Sequence, residues 1–204
     1  MPRAKVQRKS TSIDMTAMCD VSFLLLTYFI LSATAKQPDP LDVRLPTSTY
    51  KIKVPEKDIA ILTIGADKVF FEAAGQDIKV ATLEKIGEQY KINFTPEEKK
   101  RFSVIGSFGV PIQSLKQFVM LDGEKRKKSG LETGIPTDST NNQLADWILQ
   151  SRKAVAELHS EGMRVSIKGD ADEGYPMVKK IVDILQKQKI NKFSLITTAE
   201  GGSK

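Results

Sequence analysis

Side chains able to move a proton or hold a ligand are few and scattered along this sequence. His159 is the only histidine and Cys19 the only cysteine. A zinc site of the usual His and Cys types takes three or four such ligands, so this pair cannot build one, and no intramolecular disulfide can form. Acidic residues gather at Asp170-Ala171-Asp172-Glu173-Gly174. A calcium loop counted from Asp170 needs an acidic or amide side chain at its fifth position and a glutamate at its twelfth. Gly174 and Ile181 stand there instead. The stretch reads as a strand-to-helix turn whose carboxylates lie near a helix N-terminus. No serine sits in a nucleophile motif, and neither the P-loop pattern nor G-x-G-x-x-G occurs. The chain is expected not to be an enzyme, and to hold no metal or other cofactor.

One carboxylate stands apart. Asp20 is the only charged residue among the 21 residues 15–35. A run of that length can cross a bilayer, whose hydrocarbon core of about 30 Å takes roughly 20 helical residues. A carboxylate at mid-span costs about 2.5–3.5 kcal/mol on insertion scales. Asp20 lies roughly 7–8 Å inside the start of the run at 1.5 Å per residue, so its cost is below that figure. Thr16 and Thr27, at i−4 and i+7, share its helix face. An apolar surrounding penalises the charged form of a carboxyl group, and a carboxyl that takes up and releases a proton inside a membrane is what a proton-driven device needs. An aspartate that only marks the edge of the span is the other reading, and the residues alone leave both open. Thr27 is open too: its hydroxyl relays a proton or holds a water beside Asp20, or it bonds back to the carbonyl of Phe23.

The elements that must position these groups follow from composition and pattern. The 204 residues are 40% hydrophobic and 27% charged, with a net charge of +6. That suits one membrane helix (residues 13–35) and one soluble domain. The mean hydropathy of −0.25 excludes a multi-spanning protein. The basic residues are spread out, with no stacking aromatics interleaved, so nucleic acid is not an expected partner. Arg3, Lys5, Arg8 and Lys9 precede the run and Lys36 directly follows it. The positive-inside rule then places residues 1–12 in the cytoplasm and residues 36–204 across the membrane. A cleaved signal peptide is the rival, with residues 21–31 as its apolar core and Ala33-Thr34-Ala35 as its cleavage site. It would release a secreted binding domain, but a signal peptide has no use for Asp20.

Residues 36–57 carry Pro38, Pro40, Pro46 and Pro55 and read as an extended tether. Val43 and Leu45 project to one side at period 2. Asp42, Val43, Leu45 and Pro46 are therefore candidates for docking onto a sheet edge, against the alternative of a plain spacer. Residues 58–64 and 68–72 read as a hairpin turning at Gly65-Ala66-Asp67, and residues 79–90 as a helix. Thr95-Pro96 opens another helix. A short strand is expected at 103–105, a helix at 111–121, and a solvated basic loop at 123–130. A helix at 141–160, a strand at 163–168, a helix at 175–188 and a strand at 192–198 form a right-handed parallel crossover. The expected fold is α+β: a mixed sheet with helices packed on it, in the order ββα…αβαβ over residues 58–199. Residues 200–204 form a frayed tail.

The run Ile13-Asp14-Met15-Thr16-Ala17-Met18-Cys19-Asp20-Val21, followed by Leu24-Leu25-Leu26, resembles the opening motif of the ExbD/TolR family of biopolymer transport proteins. Ala17 stands where that family most often has proline. Leu41-Asp42-Val43-Arg44-Leu45-Pro46 resembles the family's tether motif, and residues 163–198 resemble its closing strand–turn–helix–strand unit. Residues 92–140 are longer than is usual there and read as an insertion. The resemblance implies a single-pass protein of the bacterial inner membrane with a periplasmic domain. It implies that Asp20 carries protons, and that a homodimer of these helices sits in membrane lipid within a ring of an ExbB/TolQ-like polytopic partner. It further implies that work passes to the outer membrane through a TonB/TolA-like protein. A flagellar-type stator subunit also carries a membrane aspartate, but it would need a larger peptidoglycan-binding domain, whose pattern is missing here.

Overall fold

The computed structural model describes residues 15–32, 47–48, 57–138, 141–169, 175–196 and 198–199. The chain divides into two units, Met1–Lys36 and Gln37–Lys204. The described part of the first is one helix, α1 (Met15–Ser32). Apart from Asp20 its side chains are uncharged, and none is buried within the protein. A helix that exposes Phe23, Leu24, Leu25, Leu26, Phe29 and Ile30 on all sides cannot be the core helix of a soluble fold. Its surface suits an apolar solvent.

The second unit opens with β1 (Thr47–Ser48) and the hairpin β2 (Ile59–Gly65) and β3 (Lys68–Ala73). Ala66 and Asp67 turn the hairpin with φ of 52° and 56°, the paired left-handed backbone that matches strand twist. Next come α2 (Gln76–Tyr90), α3 (Pro96–Ser103), a 3-10 turn (Ile112–Ser114), α4 (Leu115–Met120) and α5 (Gly123–Lys128). The unit closes with α6 (Gln143–His159), β4 (Arg164–Gly169), α7 (Tyr175–Lys187), β5 (Phe193–Ile196) and β6 (Thr198–Ala199). The main sheet runs β3-β2-β4-β5, with β3 antiparallel to β2 and the other pairs parallel. This is the mixed-sheet α+β fold expected. In register, Leu62 faces Phe71 on one side and Ile167 on the other. Those residues meet Leu83 and Ile86 of α2, Leu144, Trp147 and Ile148 of α6, and Ile181 and Leu185 of α7 in one core.

The described part of the 92–140 segment, residues 92–138, contributes to that core rather than forming an appendage. Phe102, Ile105, Phe108, Val110, Ile112, Leu115, Phe118, Val119 and Ile135 are all buried in it. The Phe108 backbone pairs with Phe71 at 2.8 and 3.0 Å, and the Ile135 N–H donates to the Val69 carbonyl at 2.9 Å. The outer edge of β3 is thereby covered, which protects the sheet from edge-to-edge pairing. Gly109 is required where this segment crosses, because a Cβ there would lie 2.4 Å from the Phe70 ring.

Two expectations in this segment are corrected. No strand forms at 103–105. Thr95 and Glu98 make a reciprocal capping box, with Glu98 N–H donating to Thr95 Oγ1 at 3.3 Å and Thr95 N–H to Glu98 Oε2 at 2.7 Å. With Pro96 in the first turn, this box starts a helix that runs through Ser103. Nor is 123–130 a solvated loop: it contains α5. Arg126 is buried, donates to the carbonyls of Phe118 and Val119 at 3.2 and 3.4 Å, and lies over the Phe118 ring. A cation at the last carbonyls of α4 ties the two short helices together. The helix expected at 111–121 divides into the 3-10 turn and α4. The closing strand divides as well, since β6 leaves the main sheet and pairs in parallel with β1, Thr47 opposite Thr198.

Candidate functional site

The site begins with α1. Its 18 residues contain a single carboxylate, Asp20, and it is the one helix among the described residues long and apolar enough to span a membrane. Leu, Met and Phe keep its outer surface apolar, while the hydroxyls of Ser22, Thr27 and Ser32 turn inward onto the helix backbone. Ser22 donates to the Met18 carbonyl at 2.8 Å and Ser32 to the Tyr28 carbonyl at 2.7 Å. Such back-bonding hides a hydroxyl from hydrocarbon. Asp20 is exposed and so is left facing whatever surrounds the helix.

Thr27 lies on the Asp20 face about 10 Å further along the axis, at 1.5 Å per residue, so the helix aligns the two without bringing them into contact. The Thr27 hydroxyl donates to the carbonyl of Leu24 at 2.9 Å, one residue from the Phe23 carbonyl expected. Its lone pairs stay open to a donor. Asp42, Val43, Leu45 and Pro46 lie outside the described residues, as does the whole of the acidic turn at 170–174. Thr47 and Ser48, directly after Pro46, form β1. Among the described residues no group of three or more His, Cys, Asp or Glu side chains is arranged to hold a metal ion.

One cluster was not legible in the sequence. His159, in the last turn of α6, lies between Asp58, just before β2, and Asp77, in the first turn of α2. These residues are separated by 101 and 82 positions in sequence, so no local spacing announces them.

A lone apolar helix carrying one carboxylate, joined in sequence to an α+β domain with a βαβ close, defines a class of membrane-anchored proteins. A family model described as "Biopolymer transport protein ExbD/TolR" matches residues 7–200. The chain belongs to the ExbD/TolR family. It is similar to "Biopolymer transport protein exbD2" of Vibrio cholerae serotype O1, with 23% identity over 86 residues. That match takes in 41% of this chain and 64% of the relative, a little under two-thirds of the relative's length. No solved structure matches the chain.

Proposed function

We propose that this chain is the membrane-anchored subunit of a motor driven by the proton motive force, of the ExbB–ExbD or TolQ–TolR type. It would energise transport or envelope processes at the outer membrane. The observation that carries this reading is Asp20, the one charged residue of a helix otherwise apolar on all sides, in a chain of the ExbD/TolR family. Intramembrane acids face protein interiors or wet cavities and mark ion paths.

In this reading two copies of α1 stand inside a ring of a polytopic ExbB/TolQ-like partner. Asp20 takes a proton from one side, is neutral while it faces hydrocarbon, and releases the proton to the other side. One charge crossing the membrane potential supplies about 2.3 kcal/mol per 100 mV. Thr27, on the same face, can donate to or accept from a water in that path. Residues 1–12 lie in the cytoplasm of an inner membrane and the α+β domain in the periplasm. There a TonB/TolA-like protein receives the work. The tether docks by strand addition, Val43 and Leu45 filling pockets while Asp42–Pro46 stays extended. The extended pairing of Thr47 and Ser48 with β6 supports this. The role is mechanical, with no catalytic site.

The test is purification from membranes with an intact-mass measurement. Retention of residues 1–35 together with a co-purifying polytopic partner supports the motor subunit. A mature chain beginning at residue 36 would make this a secreted domain and end the proposal.

A further inference from the structure

His159 is the only histidine of the chain, hence the one side chain whose ordinary titration falls between pH 5 and 8. Both of its ring nitrogens face carboxylates. Nδ1 meets Asp58 Oδ1, and Nε2 lies 3.0 Å from Asp77 Oδ2. A neutral imidazole has one N–H and one bare lone pair. In that form one nitrogen would press its lone pair against a carboxylate oxygen, so with both carboxylates ionised the two bonds coexist only on the imidazolium.

The position gives the contact a consequence. Asp58 is where the segment leading from α1 reaches the sheet. It is held in left-handed backbone, φ 54°, which Asp tolerates better than most residues. Its carbonyl accepts from Arg164 N–H at 2.8 Å and its carboxylate from His159. Asp77 belongs to the first turn of α2. One ring thus ties the start of β2 and the start of α2 to the end of α6, where a helix C-terminus also favours a cation.

We propose that His159, Asp58 and Asp77 form a pH-sensitive latch at the junction where the tether joins the domain, closed when the imidazole is protonated and released when it is neutral. Among the described residues, the charged groups acting on the ring are Asp58 and Asp77. On α6 itself, Glu157 is occupied by Lys85 of α2 at 2.7 Å. The Asp58 bond, then the Asp77 bond, hold the imidazole above its ordinary range. Asp77 is held below the usual carboxylate range by the Ile78 N–H and, further, by the His159 bond. The sign follows: a group whose folded value is raised stabilises the fold fully below its unfolded value of about 6.5 and loses that contribution as pH rises through the folded value. The latch stands on this geometry alone. Its setting, a compartment whose pH the cytoplasm does not fix, rests on the topology proposed above.

The test uses the full-length protein in lipid nanodiscs. A sole histidine gives one imidazole signal, which NMR can follow through a pH titration. Hydrogen exchange at Ile59, Ala60 and Asp77 is measured over the same range, against core amides. The expected midpoint lies above about 6.5 and falls in both Asp58→Asn and Asp77→Asn. Exchange at the junction is expected to rise through that midpoint beyond the base-catalysed rise shared by all amides. In His159→Gln that step should vanish. A wild-type midpoint at or below the ordinary value overturns the latch, even if no variant folds. So does a midpoint that neither Asn substitution moves, or a junction without a pH step. None of these readouts depends on motor activity, so failure of the latch and failure of the motor reading are distinguishable.

Discussion

Phe108→Ala tests whether residues 92–140 share the core of the domain. The Phe108 side chain is buried. Its ring centre lies 4.9 Å from that of Trp147, 5.2 Å from Phe102 and 5.9 Å from Phe71. Those partners come from α6, α3 and β3, so a single truncation opens a cavity between three elements. Burying a phenylalanine and leaving its cavity unfilled differ by about 3–5 kcal/mol. Edge-to-face pairs contribute about 0.5–1.5 kcal/mol each within such totals. The Phe71–Phe108 backbone bonds survive the substitution, so the loss is one of packing. Against a domain stability of about 5–15 kcal/mol, the variant should fold but be much weakened. The assay is urea unfolding of the full-length protein in detergent, read by tryptophan fluorescence. Trp147 is the only tryptophan and touches Phe108, so the signal arises at the site. The expected result is a lower midpoint at unchanged slope, a loss of about 3–5 kcal/mol, and a smaller loss for Phe108→Leu. A loss under about 1 kcal/mol would refute the shared core, being the size of an ordinary surface effect. So would a fluorescence transition that precedes loss of the far-ultraviolet dichroism of the sheet, because the segment would then be melting by itself.

Thr27→Val removes the hydroxyl that now donates to the Leu24 carbonyl while nearly keeping the shape. If Thr27 serves the proton path, transport should fall while membrane insertion is unchanged; wild-type transport would reduce Thr27 to back-bonding. Val43→Ser with Leu45→Ser leaves the tether's length and prolines in place but removes both apolar anchors. Docking requires that transport fall and tether amides exchange faster; normal transport with unchanged exchange would leave a plain spacer.

The parts legible in the sequence are those fixed by local rules. β-branched, apolar runs on both sides of Gly65-Ala66-Asp67 announced the hairpin. Helical spacing of Leu144, Ile148 and Val155 announced α6, with Asn142 capping it by accepting from the Ala145 N–H at 3.1 Å. The unbroken apolar run made Asp20 conspicuous. What could not be read depended on partners distant in sequence. The run Lys125-Arg126-Lys127-Lys128 looks like solvated charge, and it takes the carbonyls of α4 and the Phe118 ring to turn Arg126 inward. β-branched Val104 and Ile105 suggest a strand, but the helix that the capping box starts takes in Ser103, and Val104 caps and turns its end. His159 reads as a bystander until folding brings Asp58 and Asp77 to its two nitrogens.

The most direct measurement on the proton-carrying role proposed for Asp20 is uptake dependent on the proton motive force in cells whose chromosomal copy carries Asp20→Asn. The amide is nearly isosteric with the acid, so the helix should insert, persist at wild-type abundance and assemble with the proposed ring partner. It cannot, however, carry a proton. Uptake is expected to fall to the level of cells lacking the chain, with membrane abundance and co-purification unchanged. Uptake retained at the wild-type level in that variant would contradict the proton-carrying role.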